Sequence, residues 1–282
     1  MNIPDSKQPD QPLFSFGLIA DIQYCECKNY GSRFFNNSLT KLNKAVKGLN
    51  DSDAEFIFTL GDLIEKNYKS FDPVLKILEK SDKKVYHVLG NHDYEVKNRY
   101  KKKVEYLLTG EKSYYSFTSR AYRFIALNTC EISTYSGSML ATIKASNIID
   151  RLKRENLPYA FEWNGTMSKK QIEWFKSELI EARKKNEYVF VFSHHTIEPL
   201  GTHNMYNRKE ILDIVSGFDN IIAWFSGHEH SGGYGNYNNI HFVTLKGMVE
   251  TPDSNAWALV EIYDNKLMIK GKDRQESYIL TY

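Results

Sequence analysis

The sequence predicts a mixed α/β fold, with a partly parallel sheet in its N-terminal part and antiparallel strands in its C-terminal third. Two observations favour this fold class. From residue 14 to about residue 90, short apolar segments alternate with segments of helical spacing, as expected for right-handed strand-helix-strand crossovers. From Ile240 onward, apolar and polar residues alternate between turn residues, which is typical of antiparallel strands.

The predicted elements follow from hydrophobic periodicity. The predicted strands are 14–20, 55–60, 85–89, 114–118, 123–127, 188–192, 221–225, 240–245, 256–263, 266–270 and 277–280. The predicted helices are 37–49, around 74–78, 95–108, 168–180 and around 209–215. Ser168, followed three residues later by Gln171, forms a capping box that predicts where the fourth of these helices begins.

Length and charge limit the organisation and the partners. The chain has 282 residues, 41% of them hydrophobic, which is enough for a full core. We expect a single domain over 14–282, with a disordered or extended N-terminus over 1–13 and a substrate-side insertion around 128–167. The 37 basic and 35 acidic residues nearly balance, so no large single-sign field is implied and we expect no nucleic-acid partner. No run approaches the roughly 18 apolar residues of a membrane span, so we expect no membrane partner, and no obligate protein partner is evident. The basic run Lys101-Lys102-Lys103 is expected to be a solvated helix face.

Cysteine usage indicates the compartment. The chain has three cysteines, Cys25, Cys27 and Cys130, an odd number whose spacing does not match a disulfide framework. We therefore expect a reducing, cytoplasmic location. The N-terminal segment has no apolar core of signal-peptide length. We discount a thiolate metal site at Cys25-x-Cys27, because a tetrahedral soft site needs four such ligands.

Residue types that bind metals follow five of the predicted strands. The carboxyl ends of strands in an open α/β sheet face one crevice, so these side chains are expected to meet. The predicted metal ligands are Asp21, Gln23, Asp62, Asn91, His194, His228 and His230. Each residue alone would be an ordinary turn or loop residue, but their shared position at strand ends predicts a two-metal hydrolase.

The residue types suggest roles in phosphate-ester cleavage, which needs a bridging carboxylate, terminal nitrogen and oxygen ligands, and an open coordination position. Asp62 is the predicted bridge. His228 and His230 would serve one metal each if the backbone between them is extended. Asp21 and Gln23 would complete one site, and Asn91 and His194 would complete the other.

His92 is the predicted acid for the leaving group. It lies next to Asn91 but points elsewhere if the backbone turns tightly, and Asp93 would hold its tautomer. The predicted catalytic residues are His92, Asp62 and Asp93.

These motifs resemble a known superfamily. Asp21-x-Gln23, Gly61-Asp62, Gly90-Asn91-His92-Asp93, Ser193-His194 and Gly227-His228-x-His230 resemble, in order, the motifs of the calcineurin-like metallophosphoesterases. The usual first motif there is Asp-x-His. Gln23 in its place, together with Trp163-Asn164-Gly165, Ser231-Gly232-Gly233-Tyr234 and Gly247 to Pro252, is similar to the manganese-dependent ADP-ribose/CDP-alcohol diphosphatase family. The match covers nearly the whole chain after about residue 14.

The resemblance implies the metallo-dependent phosphatase fold, a four-layer sandwich of two mixed β-sheets flanked by α-helices. It implies two divalent metal ions, with manganese preferred over iron, zinc or magnesium. It also implies cleavage of the phosphoanhydride of ADP-ribose, CDP-choline, CDP-glycerol or a related nucleotide-type small molecule. The products would be a nucleoside monophosphate and a second phosphorylated compound.

Several residues are candidates for substrate binding. Arg33 could meet the phosphate chain, and His203 lies in a loop that follows a predicted ligand. The aromatic candidates for base recognition are Phe34, Phe35, Tyr135, Trp163 and Tyr206, although most aromatic residues belong to the core. Asn164 and Glu250 come from the family-like segments.

Two alternatives remain open at this stage. The same metal centre could act on phosphomonoesters, cyclic nucleotides or a lipid-linked diphosphate. The chain could also be a catalytically silent scaffold, which the retention of Asp62, Asn91, His92 and the three ligand histidines disfavours.

Overall fold

A computed structural model of the chain describes residues 11–282, so most of the predicted N-terminal segment, 1–13, lies outside the described residues. The helices are α1 (Ser38–Asn50), α2 (Phe71–Leu78), α3 (Asn98–Thr109), α4 (Met139–Arg154), α5 (Lys169–Lys184) and α6 (Arg208–Val215). Over residues 11–282, none of them combines the length and apolar character that a membrane crossing requires.

The strands form two sheets. They are β1 (Phe14–Ile19), β2 (Ala54–Thr59), β3 (Lys84–His87), β4 (Tyr115–Ser119), β5 (Tyr122–Ala126), β6 (Tyr188–Phe192), β7 (Ile221–Ser226), β8 (Gly233–Tyr237), β9 (Ile240–Thr244), β10 (Ala256–Ile262), β11 (Lys266–Asp273) and β12 (Tyr278–Thr281). The first sheet has the order β12-β11-β10-β1-β2-β3 and the second the order β4-β5-β6-β7-β9-β8.

Both sheets are mixed, as the sequence resemblance implied. In the first sheet β1, β2 and β3 run parallel, while β10 to β12 pair antiparallel. In the second sheet β5, β6, β7 and β9 run parallel, and β4 and β8 are antiparallel edge strands. The predicted fold class is therefore confirmed.

An aromatic core joins the inner faces of the two sheets. Phe16 of β1 is fully buried, and its ring stacks 5.3 Å from that of Phe56 in the same sheet. The ring also makes edge contacts, at about 6 Å, with four phenylalanines of the second sheet: Phe124, Phe190, Phe192 and Phe225. The side chains on each inner face alternate along their strands, so every second residue enters this core.

The helices cover the outer faces. Apolar residues of α1, α2 and α3 pack on the first sheet against Ile19 and Ile57. Apolar residues of α5 and α6 pack on the second sheet against Ile125 and Trp224. The layer order of helices, sheet, sheet and helices is the four-layer sandwich.

Two elements were missed from sequence. α4 occupies the middle of the 128–167 segment, where only an irregular loop was expected. Its side chains Met139, Leu140 and Ile143 are more than half exposed, so no clean apolar stripe marks the helix. β8 is a half-exposed edge strand with the sequence Gly-Tyr-Gly-Asn-Tyr, which lacks the apolar alternation of a half-buried strand.

We expect Phe16→Ala to lower the free energy of unfolding by about 3–5 kcal/mol, because it leaves a cavity between the sheets. Urea titration followed by circular dichroism measures the change. Ile180→Ala, at a 48% exposed position on α5, is the control and should cost less than about 1 kcal/mol. Equal losses in the two variants would contradict this account of the core.

Candidate metal centre

The backbone turns sharply at four of the seven predicted ligands. Four residues have φ angles in the left-handed region, which residues other than glycine disfavour: Asp21 (51°), Gln23 (43°), Asp62 (52°) and His228 (70°). Each such residue costs about 1–3 kcal/mol and persists where the surrounding structure enforces it. The concentration of this strain at strand ends marks the region as a functional site.

Two glycines allow the strand ends to approach one another. A Cβ at Gly90 would lie 2.1 Å from Asp62 Oδ1, and a Cβ at Gly227 would lie 2.7 Å from Asp21 Oδ2. Both distances are far below a van der Waals contact, so neither position accepts a side chain without moving a predicted ligand.

Asp62 lies at the centre of the cluster. Its Oδ2 accepts a hydrogen bond from Gln23 Nε2 at 3.1 Å and lies 3.3 Å from His194 Nε2. Its Oδ1 accepts the backbone N–H of His92 at 2.8 Å. Across residues 11–282, the ligand atoms of Asp62, His194 and His228 all lie within 4.8 Å of one another.

Asn91 and His194 extend the cluster on one side. Asn91 Oδ1 lies 3.0 Å from His194 Nε2. The opposite ring nitrogen of His194, Nδ1, lies 2.8 Å from the carbonyl oxygen of Leu60. This bond fixes the ring so that Nε2 faces Asp62, and it also ties the end of β2 in one sheet to the end of β6 in the other.

Asp21 and His230 form the other side. His230 Nε2 lies 3.6 Å from Asp21 Oδ1, while its Nδ1 lies 2.7 Å from Glu250 Oε1. The Asp21 carboxylate also accepts the backbone N–H of His228 at 3.1 Å. A carboxylate on the far nitrogen of a histidine is a recurrent arrangement behind metal ligands, because it fixes the ring and raises its basicity.

The backbone around the histidine pair differs from the expectation. His228 was expected on an extended segment with His230, but its φ of 70° places it in a left-handed turn. The two imidazoles still reach the same region, with His228 beside His194 and His230 beside Asp21. The turn, rather than strand alternation, aims both rings inward.

The donor set fits a pair of divalent cations. Gln23 Oε1 is buried and has no hydrogen-bond partner among residues 11–282, and an unsatisfied buried acceptor of this kind suits a cation. The carboxylates of Asp21 and Asp62, two amide oxygens and three imidazoles supply the oxygen and nitrogen ligands that manganese, iron or zinc accept.

The electrostatics of the buried groups agree with a cation site. Burial and the neighbouring imidazoles lower the pKa of His228 well below its usual value, which leaves the ring neutral and able to ligate. Burial would also lower the pKa of His194, but the Asp62 carboxylate outweighs it and raises that pKa to about 9. The Asp62 carboxylate, which stabilises the proton on His194, would pair with a metal ion in its place.

His92 is oriented by Glu65, and the prediction that Asp93 holds its tautomer is wrong. His92 Nδ1 hydrogen-bonds the carbonyl oxygen of Glu65 at 3.2 Å. The carboxylate Oε2 of Glu65 lies at the same distance but has no hydrogen-bond partner among residues 11–282. Asp93 instead accepts the backbone N–H groups of Gly90, Asp62 and Leu63 at 2.8–3.0 Å. Asp93 therefore holds the turns that carry Asp62 and Asn91, while Glu65 leaves His92 Nε2 available to the cavity.

A cavity of about 720 Å³ opens over the cluster. Of the predicted ligands, it is lined by Gln23, Asp62, Asn91, His228 and His230, while Asp21 and His194 are fully buried behind them. Arg33, Tyr135, Trp163 and His203 also line it. These four of the predicted substrate-binding residues are thus placed where substrate would bind.

The remaining predicted substrate contacts are not in the cavity wall. Tyr206 is buried beneath α4 and donates to the carbonyl oxygen of Phe161. Phe35 packs in a small cluster with Cys25, and Phe34 does not line the cavity. Asn164 is fully buried, and its Oδ1 lies 3.0 Å from His228 Nε2. The predicted contacts of Asn164, Phe34, Phe35 and Tyr206 with substrate stay predictions, and none of these four residues lines the cavity.

His195 links the metal cluster to the 128–167 segment. Its Nδ1 lies 2.7 Å from Thr129 Oγ1, and its Nε2 lies 3.0 Å from the hydroxyl of Tyr135 and 3.2 Å from the carbonyl oxygen of Trp163. It is not one of the seven predicted ligands. It fixes two cavity-lining residues, Tyr135 and Trp163, relative to the adjacent His194.

Comparison with known proteins identifies the family. A model of the calcineurin-like phosphoesterase family matches residues 14–232, which is more than half of the chain. The chain belongs to the calcineurin-like phosphoesterase family. The superfamily resemblance noted in the sequence is thereby confirmed.

Relatives and solved structures extend the comparison. The manganese-dependent ADP-ribose/CDP-alcohol diphosphatase of Xenopus laevis is 29% identical to the chain, covering 99% of the chain and 94% of the relative. The protein of the same name from Arabidopsis thaliana is 28% identical, covering 95% and 96%. A dimetal phosphatase from Danio rerio is 24% identical and superposes with a TM-score of 0.87, covering 96% of this chain and 100% of that one. This last likeness concerns the fold.

Two parts of this phosphoesterase site were missed from sequence. Glu65 follows Asp62 by three residues and carried no motif. Lys41 is 1% exposed and donates from Nζ to the carbonyl oxygens of Met248, Glu250 and Thr251. The 247–251 loop that it gathers holds Glu250 against His230. A lysine on an amphipathic helix gives no sequence signal of such burial.

We expect Glu250→Gln to weaken manganese binding about 10- to 100-fold, because an amide does not support His230 as a carboxylate does. Isothermal titration of the metal-free protein with manganese measures the change. Glu276→Gln, which removes a carboxylate that pairs with Lys246 at the surface, is the matched control and should bind manganese normally. Equal affinities for Glu250→Gln and the unmodified protein would show that this contact does not support the ligand.

We expect Glu65→Gln to lower turnover about tenfold or more without changing manganese binding, because His92 loses the carboxylate charge that lies 3.2 Å from its Nδ1. Hydrolysis of p-nitrophenyl phosphate and thermal unfolding provide the measurements. Asp93→Asn should instead lower stability by about 1–3 kcal/mol, since an amide cannot accept all three backbone N–H groups. A Glu65→Gln variant with normal turnover would overturn the assignment.

Proposed function

We propose that the chain hydrolyses the phosphoanhydride of nucleoside diphosphate derivatives of the ADP-ribose and CDP-alcohol type. The products are a nucleoside monophosphate and a second phosphorylated compound. The observation that carries the proposal is the similarity, over nearly the full length of both chains, to relatives named for this activity. The convergent cluster around Asp62 and the cavity above it supply a site with the required chemistry.

The ligands would divide around Asp62. Asp21, Gln23 and His230 would hold one ion, Asn91, His194 and His228 the other, and Asp62 would bridge them. When bound, two divalent ions, with manganese the one named for the relatives, supply Lewis-acid activation of water and neutralise the phosphate oxygens.

The chain's own residues then orient the substrate and move a proton. Hydrolysis adds the oxygen of water to the attacked phosphorus and breaks its bond to the bridging oxygen, which leaves on the other phosphate. His92 lines the cavity, and its Nε2 would donate a proton to this leaving oxygen while its Nδ1 hydrogen-bonds the carbonyl oxygen of Glu65. Arg33, which lies 3.8 Å from Glu250, offers its guanidinium to the phosphates.

Trp163 offers a surface for the base. Its side chain is 41% exposed, lines the cavity and stacks on Phe161 with ring centroids 4.2 Å apart. A nucleobase on the free face of Trp163 would extend this stack.

The organisation and compartment expected from sequence belong to the same proposal. One domain over 14–282, with the 128–167 segment as a substrate-side insertion, is consistent with the position of Tyr135 and Trp163 in the cavity wall. A cytoplasmic location is consistent with three free cysteines, Cys25, Cys27 and Cys130.

We expect kcat/KM with manganese to be higher for ADP-ribose or CDP-choline than for p-nitrophenyl phosphate. Steady-state assays on the purified chain, with magnesium and zinc in parallel, measure the preference. Asp62→Asn should lose at least about 1,000-fold in activity, because the bridging carboxylate holds both ions. A preference for the nitrophenyl ester would favour another phosphoesterase specificity, and equal rates for Asp62→Asn and the unmodified chain would favour a scaffold.

A further inference from the structure

Lys101 is a basic residue in the wall of the catalytic cavity. It was expected on a solvated helix face with Lys102 and Lys103, but it lines the cavity together with His92 and Glu95. Its neighbour Lys102 fits the expectation, since the side chain of Lys102 is 90% exposed and pairs with Glu105. The two adjacent lysines of α3 therefore have different surroundings.

The side chain of Lys101 is held in place. Its Nζ donates to the carbonyl oxygen of Tyr135 at 2.5 Å. Its stem packs so closely on Gly137 that a Cβ there would lie 2.8 Å from Lys101 Cδ. An ammonium group has three N–H donors, so two remain after the bond to Tyr135. Within residues 11–282, no carboxylate forms a salt bridge with Lys101, and the remaining donors are available to an anion in the cavity.

Lys101 lines the same cavity as His92, the residue proposed above to protonate the leaving oxygen. Asn91, His92 and Glu95 precede it on one continuous segment that enters α3, and His92, Glu95 and Lys101 line the same cavity. Arg33 lies instead beside Glu250, which contacts His230. The cavity is thus lined by two cationic side chains, Arg33 beside Glu250 and Lys101 on the segment that follows His92.

We propose that Lys101 binds the leaving phosphate of a diphosphate substrate and thereby sets the preference for diphosphates over phosphomonoesters. The inference rests on the proposed function. When the anhydride bond breaks, negative charge accumulates on the phosphate that carries the bridging oxygen. The leaving group of a nitrophenyl ester has no such phosphate, so a cation at this position favours the diphosphate selectively.

The contact with Tyr135 suggests a purely structural role as the alternative. In that case Lys101 only fastens the 128–138 part of the chain to α3. Its loss would then disturb the cavity for every substrate and would lower the activities on diphosphates and on monoesters by the same factor.

The test compares Lys101→Met with Lys102→Met in the full-length, manganese-loaded protein. Methionine keeps the unbranched stem and removes the ammonium group, and the Lys102 variant is matched in sequence position and charge. For each protein kcat and KM are measured on ADP-ribose, CDP-choline and p-nitrophenyl phosphate, and thermal unfolding is recorded. Lys101→Arg, which keeps the charge, is included as the rescue variant.

Lys101→Met should lower kcat/KM on both diphosphates about ten- to hundredfold more than on the nitrophenyl ester. Lys101→Arg should recover part of that difference, and Lys102→Met should match the unmodified protein. Equal losses of Lys101→Met on all three substrates would overturn the assignment and establish the structural role. If the unmodified protein does not prefer diphosphates, the proposed function itself fails, and this inference fails with it.

Discussion

The Asp62 carboxylate is the interaction on which the site depends. Its Oδ2 accepts a hydrogen bond from the side-chain amide of Gln23 and faces the His194 ring, and its Oδ1 accepts the backbone N–H of His92. These contacts come from both sheets, so Asp62 holds its partners together only if the two sheets keep their relative position. The aromatic core between the sheets, centred on Phe16, provides that rigidity. Core packing and site geometry are therefore parts of one arrangement.

The strain at the strand ends is the cost of this convergence. Asp21, Asp62 and His228 have a left-handed backbone conformation. Each turns the chain sharply at the end of its strand, and the side chain then points into the ligand cluster. Backbone hydrogen bonds between neighbouring turns stabilise the arrangement, as from Gln23 N to the carbonyl oxygen of Asp62 at 2.8 Å. Asp93 adds three more acceptor contacts beneath them.

Much of the fold could be predicted from sequence, because the spacing of apolar residues follows the buried face of each helix and strand. The strands whose residues enter the core were found within one to three positions. α4 was missed because one side of it, at Met139, Leu140 and Ile143, faces solvent. Helix capping was only half correct. Ser168 Oγ accepts the N–H of Gln171, but Glu131 rather than Gln171 accepts the N–H of Ser168. A partner 37 residues away cannot be read from local spacing.

The site was predictable where ligands share a chemical type and a position at strand ends. The seven predicted ligands meet around Asp62, although their roles as ligands stay predictions. The residues that support these ligands or line the cavity beside them were harder to predict from sequence. Asp93 was misassigned because backbone N–H groups, its actual partners, leave no trace in the sequence. The contact of Glu65 with His92 and that of Lys101 with Tyr135 depend on how the turn after Asp62 and the start of α3 pack. No local sequence pattern indicates them.

The buried ammonium of Lys41 has one more consequence. The carbonyl oxygens of Met248, Glu250 and Thr251 would repel one another at close range, and the ammonium group of Lys41 lies between them. This counter-charge is covalently attached to the chain, and because burial lowers the pKa of Lys41 to about 8, the charge is lost as the pH rises above that value. The 247–251 loop, which holds Glu250 against His230, is therefore gathered by a charge that the chain itself supplies.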